Sequence, residues 1–328
     1  MKKWVLAVLF VLVLSVTASA MVRIGITAIV DHPALDSARE GVIELLIKKG
    51  LVKGKDFDVE FQSAQGNIST AVSIANYFNT NGFDIVVAIS TPSAQSCMNA
   101  IKTFPVVFSA VTDPVAASLV PALGKNPGNV VGVSDMTPVK TQFQLLKFVV
   151  PDVKKVGIVT NPGEANSIVI TEHARAACEE LGLTLVEVVG SNTSEMISAL
   201  SAMVDDLDAL YVGTDNTAAS CIESLHRITV SKKVPMLCGD FNTARDGGVM
   251  AYGFDYFSLG MDTGTIVWDI IQGKSVSEID SRLMNADSLL LLLNLDVAKE
   301  IGLTFPESVK NRADFIIENG VENKVLSR

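Results

Sequence analysis

The sequence predicts an α/β chain of two lobes, each built on a parallel sheet covered by helices on both faces, joined by a hinge of three crossovers. Three observations carry this. Short apolar runs alternate with amphipathic helical segments along the chain, which is how a doubly covered parallel sheet reads. The alternation breaks near residues 126–140 and then starts again. The chain is also long for a single core, because domains tend to divide beyond about 250 residues.

The elements follow in order. Residues 1–20 read as an export signal: Lys2 and Lys3, the apolar run "WVLAVLFVLVLSV", then Ala18, Ser19 and Ala20 as a cleavage site. That run is shorter than the roughly 20 residues a membrane-spanning helix needs, and no direct membrane insertion is expected after cleavage near Ala20. No cysteine adjoins the site to take a lipid. "MVRIGITAIV" is the first strand and "LDSAREGVIELLIKKG" the first helix. Then come "DFDVEFQSA", a helix over about 69–81, "DIVVAIS", a helix from Pro92 to Lys102, and "FPVVFSAV", with a further helix start at Pro114. After the break, "KKVGIVT", "LTLVEVVG", "ALYVGT" and "VPMLCGD" form the second series. "GGVMAYGFDYFSLGMDTGTIVWDIIQGK" reads as a strand and helix returning to the first lobe, and "SLLLLLNLDVAKEIGLTF" as a return to the second. The expected division is 21–137 plus about 253–284 for one lobe and 138–252 plus about 285–328 for the other, with "ENGVENKVLSR" as a polar tail.

The formal net charge of -10 argues against nucleic acid and anionic membrane surfaces, which call for a basic footprint. Cys97, Cys178, Cys221 and Cys238 are widely separated, without metal-ligand spacing, and read as buried thiols, although export would permit one bridge. No phosphate-binding glycine loop and no G-x-S-x-G follow a strand, so neither a nucleotide nor an esterase-type nucleophile is indicated. His173 and His226 fall inside helical segments, whereas His32 ends the first strand and has access to a cleft. A hydrolytic pair among Asp31, Asp36, Asp113, Asp215 and Asp240 lacks any supporting motif. No cofactor, metal or catalytic residue is expected.

Ligands in open parallel sheets bind beyond the carboxyl ends of the strands. Those ends read "AIS-TPSAQ", "SAV-TDPVA", "IVT-NPGEA", "YVG-TDNTA" and "LCG-DFNTA". Thr91, Asp113 and Asn161 each precede a proline, the pattern of a helix cap. The same free N–H groups form anion sites, so Ser90, Thr91 and the amides after them would suit a carboxylate. Asp215 and Asp240 lie at corresponding ends and would suit an ammonium group; together the two sides fit a zwitterion. Strict alternation over "YGFDYF" would send Tyr252, Phe254 and Tyr256 to one face, as core or as a wall for a ring.

"SAQGN", "AISTPSAQ", "PVVFSAVTDPV", "NVVGVSD", "YVGTDNTAAS", "GGVMAYGFDYFSLG" and "LLLLLNLDVAKEIGLTFPESV", in this order, resemble the ABC transporter substrate-binding proteins of the tryptophan/tyrosine type. The resemblance implies a type I periplasmic-binding-protein fold with two Rossmann-like lobes, a periplasmic or otherwise exported monomer, and capture of a small amino-acid-like ligand, with aromatic amino acids as the class the family suggests. It further implies delivery to a permease driven by a separate ATPase. Carried over by position, Ser90, Thr91, Thr112 and Asp113 belong to the first-lobe wall, and Asn161, Asp215 and Asp240 to the second. One departure stands out: the family often has G-D-x-D where this chain has Asn242 after Phe241. The alternative is a binding protein that signals to a membrane receptor; an exported enzyme and a cytoplasmic repressor fit less well.

Overall fold

The computed structural model describes residues 21–325; the expected export signal lies outside the described residues. The chain begins with β1 (Val22–Ala28), α1 (Pro33–Lys48), β2 (Phe57–Ser63), α2 (Ile68–Thr80), β3 (Ile85–Ile89), α3 (Thr91–Ala100), β4 (Val106–Val111), β5 (Gly124–Lys125) and β6 (Val130–Ser134). It continues with α4 (Val139–Val149), β7 (Lys155–Thr160), α5 (Ala165–Leu181), β8 (Thr184–Val189), α6 (Thr193–Met203), β9 (Ala209–Val212), α7 (Asn216–Ser220), α8 (Ile222–Lys232), β10 (Met236–Cys238), α9 (Phe241–Arg245) and β11 (Met250–Gly253). The last elements are α10 (Tyr256–Ile271), β12 (Asp280–Leu283), β13 (Leu290–Asn294), α11 (Leu295–Ile301), α12 (Glu307–Lys310), β14 (Phe315–Glu318) and β15 (Val321–Lys324).

Two sheets result. One has the order β2-β1-β3-β4-β6-β12-β5, the other β15-β14-β13-β11-β10-β9-β7-β8. Pairing is mostly parallel; β12 with β5, β11 with β13 and β14 with β15 are antiparallel. The central strands of both sheets are buried on both faces, as β3 and β4 show in one and β9 and β10 in the other. The chain passes between the sheets after β6, after β11 and after β12. We use "first lobe" and "second lobe" for the layers around each sheet.

Glycine sets one contact that matters for the site. α10 lies on α1 so closely that a Cβ at Gly260 would sit 2.0 Å from the Ala38 carbonyl oxygen, and one at Gly41 would sit 2.2 Å from that of Phe257. Only a residue without a side chain allows two helix backbones this near, so α10 is keyed to the first lobe as soon as it leaves the second. All four cysteines are buried free thiols.

Several local expectations are corrected. Residues 114–118 form a turn and no helix: Asp113 Oδ1 accepts from the N–H groups of Val115 and Ala116, and one turn satisfies the strand end. α3 is capped at Ser90, not Thr91, and α5 starts at Ala165, after an Asn161 side chain that closes its own turn onto the Gly163 N–H. The strand carrying Tyr252 stops at Gly253, so Tyr256 is the first residue of α10 and strand alternation does not reach it. The C-terminal polar segment forms an edge hairpin, β14–β15, pinned where Asp296 accepts from Asn319 and Gly320 at its tip.

Candidate functional site

The strand ends of the two sheets face one another, and the polar joints after them enclose a pocket. Its wall comprises His32, Ala34 and Leu35 at the start of α1, Ala110 and Thr112 after β4, Asp135 after β6, and Tyr256. From the second lobe come Asn166, Gly213 to Asn216, Ala219 and Asp240. A wider cavity adjoins it at Asn216, lined by Ile29, Val30, Gln65 and Pro92 from one lobe and by Asn161, Glu164 and Thr217 from the other. Both lie at carboxyl ends of parallel strands, where this architecture places ligands.

Of the residues singled out in the sequence, Thr112, Asp215 and Asp240 line the inner pocket and Asn161 the outer cavity. Ser90, Thr91 and Asp113 line neither. Ser90 and Thr91 are buried beside them; Ser90 is held at φ 85° and ψ 155°, a backbone region almost reserved for glycine, and the Thr91 hydroxyl has no partner. Ala110, in a bulge of β4, is also strained, at φ 53°.

The first-lobe helix start at the pocket is α1, not α3. No side chain caps it and Pro33 occupies its first turn, so the N–H groups of Ala34 and Leu35 have no intrahelical acceptor. His32 stands beside them, its pKa lowered to about 4 by burial, so the ring is neutral at physiological pH.

The carboxylates divide into two kinds. Asp215 accepts from Ala218 N–H, Asn161 N–H (2.7 Å) and Ser167 Oγ (2.5 Å), which fixes the start of α7 against the turn after β7. Glu164 accepts from Asn166, Asn216 and Thr217. Asp240 caps α9 through the N–H and hydroxyl of Thr243. These are loop-organising acids. Asp135 differs: one oxygen accepts from Tyr256 Oη at 2.5 Å, while Oδ1 is buried without a partner. Asn166 Oδ1, across the pocket, is likewise unpaired.

Burial is the main reason Asp135 is pushed up to about 6, Tyr256 and Thr112 opposing the shift. Asp215 is raised to about 7 by burial and then by the Glu164 charge, and Asp240 is raised by burial. No lysine or arginine lines either compartment. Meanwhile the side-chain donors on the inner wall are engaged: Tyr256 to Asp135, Asn216 and Asn166 to Glu164, and the Thr112 and Thr214 hydroxyls to each other at 2.7 Å. The site therefore offers unpaired acceptors and negative charge, and asks for a cationic donor.

Two polar contacts span the lobes at its edge. Thr112 meets Thr214, and Asn242 Nδ2 donates to Ser37 Oγ at 3.1 Å. The residue that departs from G-D-x-D thus lies at a contact between the lobes.

A family model described as "ABC transporter substrate binding protein" matches residues 23–317. The chain belongs to that family. Its members are solute-binding proteins, a class without enzymatic activity. A "Tyrosine-binding protein" of Clostridioides difficile (strain R20291) is 35% identical over 281 residues, covering 86% of this chain and 81% of that protein. A crystal structure of an ABC domain in complex with L-Trp from Streptococcus pneumonia has a TM-score of 0.87 at 32% identity, over 91% of this chain and 100% of that one. A ligand-free, open structure of a substrate binding protein with adhesive properties from Clostridium difficile reaches only 0.67 at 35% identity, over 91% and 99%. Higher identity with lower overlap means that lobe disposition, and not divergence, separates the two. This family member overlaps the L-Trp complex better than the ligand-free, open structure, and the fold is of the type I periplasmic-binding-protein kind.

Sequence reasoning missed Asp135, Asn166 and the α1 start as parts of the site, and offered Tyr256 only as core or as a wall for a ring. Asp135 follows β6 inside the stretch where the strand pattern breaks, so it was never aligned with the other strand ends. Asn166 sits in the first turn of a helix; the available signal was "NPGEAN", two polar side chains where a helix start needs one.

Proposed function

We propose that the protein is the extracytoplasmic capture component of an ABC importer for an α-amino acid with an aromatic side chain, delivered to a permease driven by a separate ATPase. The observation that carries the ligand class is the pair of buried, unpaired acceptors, Asp135 Oδ1 and Asn166 Oδ1, in a pocket with several carboxylates and, among the described residues, no lysine or arginine. An ammonium group supplies the missing donors and the missing positive charge, one acceptor coming from each lobe. The ligand carboxylate then falls to the free N–H groups at the α1 start, where the helix dipole favours an anion. Ala34, Leu35, Ala110 and the Tyr256 ring offer apolar surface, extended by Ile29, Val30 and Pro92 in the outer cavity.

The reading of two lobes spanning 21–137 plus about 253–284 and 138–252 plus about 285–328 goes with this function. So do cleavage near Ala20, export, and action as a monomer. Binding shifts an equilibrium between open and closed lobes, and the closed form is the one that docks on the permease. The relatives named for tyrosine and L-Trp support an aromatic ligand; nothing in the comparisons favours receptor signalling.

Titration calorimetry tests the class directly. L-Tyr and L-Trp are expected to bind, while their deaminated or N-acetylated counterparts fail. Equal binding of an amino acid and its deaminated counterpart would remove the ammonium from the argument.

A further inference from the structure

We propose that Tyr256 is a positioning residue that holds Asp135 charged and aimed at the pocket before a ligand arrives. The inference rests on the reading of Asp135 as an ammonium acceptor. Tyr256 is the first residue of α10, 5% exposed, and its hydroxyl donates to Asp135 Oδ2 at 2.5 Å, leaving Oδ1 as the free acceptor. α10 is locked against α1 by the Gly41 and Gly260 contacts, so the phenol has a fixed place in the first lobe. Asp135 itself sits on the passage from β6 to α4, the first of the three links between the lobes.

The remaining neighbours do not keep Asp135 ionised on their own. Asp240, ahead of α9, repels its charge; the Thr112 hydroxyl helps it but is also joined to Thr214. Tyr211 of β9 interacts with Tyr256 and donates its own hydroxyl to Gln142. His32, ahead of α1, also lines the pocket and is a neutral ring at physiological pH, and no lysine or arginine is present. Asp135 stands at about 6 with the Tyr256 hydrogen bond already opposing burial, and the phenol stays protonated because burial and the Asp135 charge lift it well above its ordinary range. A hydrogen bond donated to the charged form of a buried acid is what keeps such a group ionised at neutral pH. Without the hydroxyl, Asp135 holds its proton to higher pH, so a larger share of the protein presents an acid, not a carboxylate, to an arriving ammonium.

The experiment measures Kd for L-Tyr and L-Trp by calorimetry from pH 5 to 8.5 in wild type, Tyr256→Phe and Asp135→Asn. Wild-type affinity falls as pH drops through about 6. For Tyr256→Phe the midpoint moves up by about one pH unit, to about 7, so binding is weakened about twofold at pH 7 and close to tenfold at pH 5, and recovers toward wild type at pH 8.5. Asp135→Asn binds weakly with no such pH dependence. A Tyr256→Phe curve displaced equally at every pH, with the wild-type midpoint, overturns the positioning role while leaving the ammonium reading intact. Wild-type binding by Asp135→Asn overturns the ammonium reading itself. Should Tyr256→Phe fail to fold, carboxyl carbon NMR of Asp135 is followed in protein carrying 3-fluorotyrosine, whose more acidic hydroxyl is a stronger donor. A lowered Asp135 midpoint supports the proposal and an unmoved one refutes it.

Discussion

Asp135→Asn should strengthen the empty protein and disable the loaded one. The carboxyl is 2% exposed and rises from an ordinary 3.8 to about 6 in the folded chain, chiefly through burial. The sign follows from linkage. A carboxyl whose folded pKa lies above its unfolded value destabilises the native state at high pH, and that penalty disappears below the unfolded pKa of 3.8. At neutral pH a shift of this size corresponds to about 3 kcal/mol. Asparagine keeps the shape and an oxygen for Tyr256 but never ionises; the weaker neutral hydrogen bond gives back about 1 kcal/mol. The expected net gain is therefore about 2 kcal/mol in ligand-free protein at pH 7.5, vanishing or reversing near pH 4. Ligand affinity should fall by about 2 to 5 kcal/mol, because an ammonium would face an amide N–H in place of a carboxylate. Urea denaturation at the two pH values reads the stability and calorimetry the affinity. A variant equally destabilised at pH 4 and pH 7.5 would show that Asp135 is comfortable as a buried carboxylate, and the electrostatic account of the pocket would fail.

Three further substitutions test other parts. Thr112→Val removes the hydroxyl pair that joins the lobes; about 1 kcal/mol should move toward the open form, seen as a larger radius of gyration in solution scattering and weaker ligand binding. Asp215→Ala deprives Asn161 and Ala218 of their N–H acceptor and should cost about 2 to 4 kcal/mol of stability by urea unfolding, since this acid organises a loop. Gly260→Ala places a Cβ where the Ala38 carbonyl already lies, so α10 must lift from α1; a loss of about 1 to 3 kcal/mol, read as a lower Tm, and weakened binding are expected together.

The alternation of apolar runs with helical segments was enough to order nearly every element, because the central strands are buried on both faces and read as apolar runs, while edge strands such as β2, β8 and β15 are partly or wholly exposed. The site was legible only where it repeats that pattern. Thr112, Asp215 and Asp240 follow strands directly and reach the pocket. Ser90 and Thr91 follow a strand just as directly, but the chain turns at the strained Ser90 and buries both beside it. Asp135 is invisible to such a rule because its importance comes from pairing with a tyrosine 121 positions away, at the start of a helix that sequence patterning had merged with the preceding strand. Proline after a polar residue was an ambiguous sign: it announced a turn at Asp113 and at Asn161, and a helix only at Ser90 and Thr91.

The glycine contact between α1 and α10 bears on the timing of capture. The N-terminus of α1 offers the groups suited to a carboxylate, and the N-terminus of α10 carries the phenol that steadies Asp135 for an ammonium. Because the two helices touch backbone to backbone, their spacing changes little when the lobes part. The first lobe thus keeps a finished half of the site while open, and a ligand can be oriented there on first encounter. Asn166 and the other groups of the second lobe arrive afterwards. On that order of events, changes on the first lobe would chiefly alter how fast a ligand is recognised, and changes on the second how long it stays.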